Sequence, residues 1–268
     1  MRGLIRAALS CTTAVGLCTG AANAASYDLA SEFSDVQGPL WYYGVYAASG
    51  FSQFLNFNPP TSSTGPGAAE SWRDNATAVL GTPGDPFNTS SSEIGCTCNT
   101  VILLPHQAGF HPGEQGQIAS YEFVAPTSGE YKLSAEFSGR DFVGPTDTQV
   151  SIVDGFGTAP IFIAIVDGYA GNSAFDSQGA IAAFGPSPTV TFNDRLYLTK
   201  GDQLYFNVGF DPHGTRESGP WFYDTTAIAA TLTIPEPSTW ALMALGFAGL
   251  GLATYRRARR GRTASAAA

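Results

Sequence analysis

The sequence predicts an all-β protein: an antiparallel β-sandwich or jelly roll, flanked by an N-terminal signal peptide and a single C-terminal transmembrane helix. Three observations carry this reading. Short stretches rich in β-branched and aromatic residues alternate apolar and polar with period two, as half-buried strands do. Gly, Pro and Asp turns break these stretches at short intervals, and 31 Gly and 17 Pro in 268 residues supply them. No long stretch of the body has a helical period; uncharged apolar runs of helical length lie at the two ends.

The N-terminal element reads as residues 1–24. Arg2 and Arg6 form a positive n-region, residues 7–17 an apolar stretch, and Ala22-Asn23-Ala24 offers small residues before a cut ahead of Ala25. This is the layout of a secretory signal peptide. Leu17 before Cys18 is too large for a lipobox. The predicted route is Sec-dependent export.

The body, residues 25–234, reads as one sandwich domain. Residues 40–46 (Leu-Trp-Tyr-Tyr-Gly-Val-Tyr) predict an aromatic strand, with residues 51–57 as its hairpin partner. Residues 58–67 and 81–92 predict loops, and residues 68–80 a short helix. Strands follow at 101–104, 117–124, 131–137, 148–153, 161–166, 189–192, 195–198, 204–208 and 225–234.

Charge excludes some partners. Of 13 Lys and Arg, seven lie in the leader and the tail, leaving six in the body against 22 acidic residues spread from Asp28 to Glu236. A surface this acidic argues against nucleic acid and anionic lipid. Cys11 and Cys18 leave with the leader, so Cys96 and Cys98 alone reach an oxidising compartment. They read as a local disulfide or as two free thiols, in preference to zinc.

The C-terminal element, residues 235–262, has three parts. Pro235-Glu236-Pro237 forms an extended, exposed link, since each proline blocks regular structure. Residues 238–255 follow without a charge, predicting a transmembrane helix of about 27 Å against a hydrocarbon core of about 30 Å. Trp240 and Tyr255 mark its two ends. Arg256, Arg257, Arg259, Arg260 and Arg262 then hold the tail on the cytoplasmic side.

This order of tripeptide, helix and Arg-rich end resembles the PEP-CTERM sorting domain of exported bacterial proteins. The resemblance implies recognition by an exosortase, a membrane transpeptidase that cuts near the tripeptide. The implied location is a transient inner-membrane anchor, then the cell surface or the extracellular medium. The body resembles a secreted β-sandwich found in other PEP-CTERM-bearing proteins, itself similar to carbohydrate-binding modules. The matching residues are Trp41-Tyr42-Tyr43-Gly44, His111-Pro112-Gly113, Ser120-Tyr121-Glu122-Phe123, Gly129-Glu130-Tyr131, Phe137-Ser138-Gly139-Arg140-Asp141, Lys200-Gly201-Asp202 and Tyr223-Asp224-Thr225-Thr226. The Cys-x-Cys and the insert 167–188 depart from that pattern.

No catalytic constellation is legible. The carboxylates are mostly turn acids, no Gly-x-Ser-x-Gly elbow occurs, and His106, His111 and His213 sit in turn sequences. The sequence therefore reads as non-enzymatic, with a carbohydrate-binding module for exopolysaccharide as the alternative and a glycoside hydrolase behind it. Trp72, Trp221 and Tyr223 are the candidate sugar-stacking rings. Asp141, Asp202 and Asp224 are candidate ligands for a structural calcium, with no other cofactor implied.

Overall fold

A computed structural model of the chain describes residues 24–59, 69–73, 82–95, 100–142, 146–171, 187–210, 223–235 and 245–256. Residues 25–235 form one compact unit. Among them run β1 (Ala25–Asp28), β2 (Trp41–Ala47), β3 (Gly50–Gln53), β4 (Asn56–Asn58), β5 (Glu70–Arg73), β6 (Gly84–Phe87), β7 (Ile94–Gly95) and β8 (Ile102–Leu103). Then come β9 (Ala108–Phe110), β10 (Ile118–Val124), β11 (Gly129–Gly139), β12 (Asp147–Asp154), β13 (Pro160–Asp167), β14 (Thr189–Leu198), β15 (Gln203–Phe210) and β16 (Thr226–Ile234).

Two antiparallel sheets hold nearly all of these strands. One has the order β14-β11-β16-β9-β6-β5-β4, with β1 also on β16; the other runs β13-β12-β15-β10-β2-β3. From β10 to β16 the chain crosses between the sheets at every step except the β12–β13 hairpin, a path of jelly-roll type. The strand alternation explains the layering. In β11, Tyr131, Leu133, Ala135 and Phe137 are buried while Lys132, Ser134 and Glu136 face out. In β10, Ala119, Tyr121 and Phe123 meet them from the other sheet. Aromatic rings knit the two layers: Tyr121 stands edge-on to Phe110 at 4.6 Å, and Phe123 edge-on to Tyr131 at 6.1 Å.

The structure corrects several local expectations. Residues 70–73, read as part of a helix, are strand β5, and residues 74–81 lie outside the described residues. Residues 84–87, read as loop, are strand β6. Pro86 has no N–H to give a ladder. Its neighbour β9 is instead bonded on either side of it, Gly84 N–H to the His111 carbonyl and Asn88 N–H to the Gln107 carbonyl, both at 3.0 Å. Residues 51–57 are not one hairpin arm: β3 stays in the six-stranded sheet and β4 crosses to the other. Residues 189–198 form one unbroken strand, where two were expected.

At the end of β11, Gly139 is needed for close approach. A Cβ there would lie 1.9 Å from the Gly168 carbonyl oxygen and 2.8 Å from Thr146 Cβ. We expect Gly139→Ala to destabilise the domain by about 1–3 kcal/mol, since backbone must shift to admit it. Urea denaturation checks this, and an unchanged midpoint would contradict it.

The second described unit is a helix over residues 245–256, whose Leu245, Phe247, Leu250, Leu252 and Tyr255 side chains are exposed. Twelve residues give about 18 Å of helix. No helix among the described residues is long and apolar enough to cross a membrane. The rest of the expected span 238–255, and the signal peptide up to residue 23, lie outside the described residues.

Candidate functional site

The C-terminal signal starts where the sandwich stops. β16 pairs with β11 along one side, and with β9 and then β1 along the other, so it is a central strand. Ile234 closes it opposite Ala25, and exposed Pro235 follows at once. The residue after the expected leader cut and the residue before the sorting tripeptide are thus register partners. Both ends of the domain leave the same region of one sheet. Arg256 is the last described residue of the helix and is exposed. Glu236, Pro237, Arg257, Arg259 and Arg260 lie outside the described residues, as do Cys96, Cys98 and Trp221.

The expected aspartate trio does not assemble. Asp141 and Asp224 are buried together where β11 ends and β16 begins. Asp141 Oδ2 accepts the Thr225 N–H at 2.6 Å, and Asp224 Oδ1 accepts the Asp147 N–H at 3.3 Å. Asp202 sits at the other end of the sandwich, in the exposed turn before β15, where its Oδ2 accepts the Thr199 N–H at 2.7 Å. The eleven residues of β11 separate the two places, about 33 Å at strand rise. The turn sequences that suggested a shared site mark opposite ends of the strands. Among the described residues no three His, Cys, Asp or Glu side chains stand together as a metal would require.

Burial alters the acids' chemistry. It pushes the Asp141 carboxyl up to about 7, against the pull of the Thr225 hydrogen bonds, and holds Asp85 well above the usual carboxylate range. Burial and the Arg73 charge push the His111 imidazole down to about 4. A carboxyl whose folded value exceeds its unfolded value stabilises the fold at low pH, and loses that contribution as pH rises through the folded value. For Asp141 the window runs from about pH 4 to about pH 7, with an upper bound of roughly 4 kcal/mol. His111 works in the opposite sense below about pH 6.5. We therefore expect Asp141→Asn, which keeps an acceptor for the Thr225 N–H, to reduce the loss of stability between pH 4.5 and 7.5. Denaturation curves of both proteins across that range test it; equal slopes would contradict it.

Of the expected rings, Trp72 belongs to the core. It is 6% exposed, its indole N–H donates to the Ser34 carbonyl at 2.8 Å, and it stacks on Tyr43 with 7° between the planes. Neither face is open to a sugar. Tyr223 is half-buried in a left-handed backbone conformation, φ 65°.

A different ring cluster covers the outer face of the six-stranded sheet. Tyr46 and Phe51 of the β2–β3 hairpin lie 5.2 and 5.6 Å from Tyr205, and Phe156 lies 5.3 Å from Tyr46. Beneath them Glu122 accepts hydrogen bonds from Gln203 and, at 3.3 Å, from the Tyr205 hydroxyl. The sequence held a weak signal for this face. Asn207 is a polar residue in the middle of the apolar run 204–208, and Ser120 and Glu122 share one side of an alternating strand.

Comparison with known proteins adds the following. Solved structures with partial similarity include a native family 35 carbohydrate binding module from Clostridium thermocellum, 13% identical, covering 70% of this chain and 96% of that one, TM-score 0.26. Another is the K3 cleaved adhesin domain of Lys-gingipain from Porphyromonas gingivalis, 10% identical, covering 72% and 91%, TM-score 0.29. A third is the family GH115 4-O-methyl-α-glucuronidase BtGH115A, 9% identical, TM-score 0.24, where the match covers 47% of this chain and only 14% of the enzyme. The fold assignment rests on the strand pairing described above, and these overlaps assign no activity. No curated protein matches the chain. Residues 233–260 match the family model of the PEP-CTERM protein-sorting motif. The chain is thus an antiparallel β-sandwich that carries the PEP-CTERM protein-sorting motif from the end of its last strand onward.

Proposed function

We propose that this protein is an exported, non-enzymatic surface protein whose sandwich is delivered by its C-terminal signal. The Sec machinery passes the body across the inner membrane. The apolar segment 238–255 holds it there, with the Arg-rich tail inside. An exosortase then cuts near Pro235-Glu236-Pro237 and sends the sandwich to the cell surface or extracellular matrix.

The observation that carries this reading is the placement of the motif. Residues 233–260 begin in the last two residues of a central strand, pass directly into the proline link, and end in the arginines. A cut in the link therefore leaves every strand of the sandwich intact. The exposed leucines and phenylalanine of helix 245–256 form an apolar surface of the kind lipid covers. Fractionation of a host lacking its exosortase tests the proposal. The expected result is full-length protein accumulating in the membrane fraction; unchanged release would overturn it.

A further inference from the structure

The six-stranded sheet ends on a strand that lacks the usual protection. Among the described residues β12 pairs with β13 along one side, and on the other side only Asp167 is bridged, to Ser187. The Asp167 N–H donates to the Ser187 carbonyl at 2.9 Å, and the Ser187 N–H to the Asp167 carbonyl at 3.2 Å. Backbone groups alternate in direction along a strand, so the N–H and C=O of Ile165 and Ile163 point to that same open edge. The Ile165 carbonyl accepts the Ser187 hydroxyl at 3.2 Å, as this direction requires. Ile161 is the residue that the β12 register skips, at a bulge. Side chains alternate as well. Phe162 and Ala164 pack on the core, whereas Ile161 and Ile163 are 38% and 56% exposed.

The other outer strands are guarded in the ways that keep sheet edges from pairing. β1, β3 and β4 are short, with four, four and three residues. β14 is long but carries Asp194 and Arg195 near its middle, with Arg195 paired to Glu130 at 2.6 Å. β13 has eight residues and no charge from Pro160 to Val166. The described chain on either side of residues 172–186 is fixed at the far end of this strand. Gly168 N–H donates to the Thr146 carbonyl there, and Ser187 bridges Asp167. Four residues, about 13 Å at strand rise, separate Asp167 from Ile163.

Charge selects the occupant. The body carries six Lys and Arg against 22 acidic residues, so two copies repel one another over most of their surface. The uncharged edge of β13 lets them meet without opposing carboxylates. A basic partner would be drawn to acidic surface elsewhere and finds no counter-charge here. We propose that β13 is a docking edge for a second copy of this chain, joined antiparallel about a two-fold axis through Ile163. Ile163 then faces Ile163 of the second copy, and Ile161 faces Ile165 in both directions, so the exposed isoleucines cover one another in a single row. Residues that face each other in this way exchange N–H···O=C bonds, and the two six-stranded sheets become continuous. The same register puts Asp167 opposite Ala159 and keeps it from another acid. A two-fold contact closes after two copies. The proposal stands apart from the sorting reading, because self-association of the purified chain does not depend on where it is cut.

The test is sedimentation velocity of the full chain in detergent, with Ile163→Lys and two cysteine variants beside the parent. We expect a dimer, and Ile163→Lys to raise its dissociation constant about tenfold or more, which is roughly 1.4 kcal/mol, because it sets like charges directly opposite each other. The circular dichroism of Ile163→Lys should stay that of the parent, since the side chain is exposed. Under mild oxidation Ile163→Cys should cross-link to itself above the level of the parent chain, because facing Cα atoms about 5.5 Å apart suit a disulfide. Ile165→Cys should not, since the register sets its two copies about 13 Å apart. A monomer at every concentration would overturn the proposal. So would a dimer equally tight in Ile163→Lys, which would place the contact elsewhere, or cross-linking at position 165 in place of 163. A monomer whose Ile163 amide resists hydrogen exchange would show the edge covered by its own chain, and that too would overturn it.

Discussion

Replacing Pro235, Glu236 and Pro237 together with alanine is expected to leave the protein full-length and retained in the membrane fraction. Two physical changes combine. Alanine removes the fixed φ and the missing N–H that keep the link extended, and it adds three strong helix formers between β16 and the apolar segment. The link then favours the helical backbone that a protease cannot grip, and the Glu236 carboxylate is gone. The sandwich should be unaffected, because its last register pair is Ala25 with Ile234 and Pro235 lies beyond it. Immunoblots of membrane, surface and medium fractions read the outcome. A released form of normal size and amount would show that the tripeptide does not direct processing.

The second large effect is expected at Trp72. Its ring is packed between Tyr43, at 5.7 Å, and Phe57, at 5.3 Å, and its N–H satisfies the Ser34 carbonyl. Trp72→Ala leaves a cavity and an unmet carbonyl, and should cost about 3–5 kcal/mol. Since domains of this kind hold roughly 5–15 kcal/mol in all, the variant should unfold at far lower urea. Any sugar binding it lost would be lost with the fold. A cost under about 1 kcal/mol would return Trp72 to the surface, as a candidate sugar-stacking ring requires.

That reversal shows what the chain's pattern can and cannot convey. Strands such as β10, β11 and β12 are legible because apolar core-facing residues alternate with polar ones and write period two directly into the chain. β5 and β6 were not. Glu70-Ser71-Trp72-Arg73 and Gly84-Asp85-Pro86-Phe87 have no alternation and poor strand propensity. They are strands because their sheet neighbours β4 and β9, each other and the aromatic core hold them there, a tertiary effect that local pattern does not contain. The helical reading failed at residues 70–73 for the same reason.

The sites divide in a similar way. The C-terminal signal is linear, so its order of proline link, apolar run and arginines could be read directly, and the family match falls on the same residues. The aspartates could not be placed, because Asp141, Asp202 and Asp224 are all turn residues, and only the registers show that β11 keeps Asp202 from the other two. Ser120 and Asn207 are 87 positions apart by number and meet only through the β10–β15 register.

The most direct measurement is the intact mass of the protein recovered from the cell surface or medium of its native host. The account predicts a species that begins at or near Ala25 and ends at or near the proline link, without the Arg256–Arg262 tail. A surface-located chain that still carries that tail would contradict it.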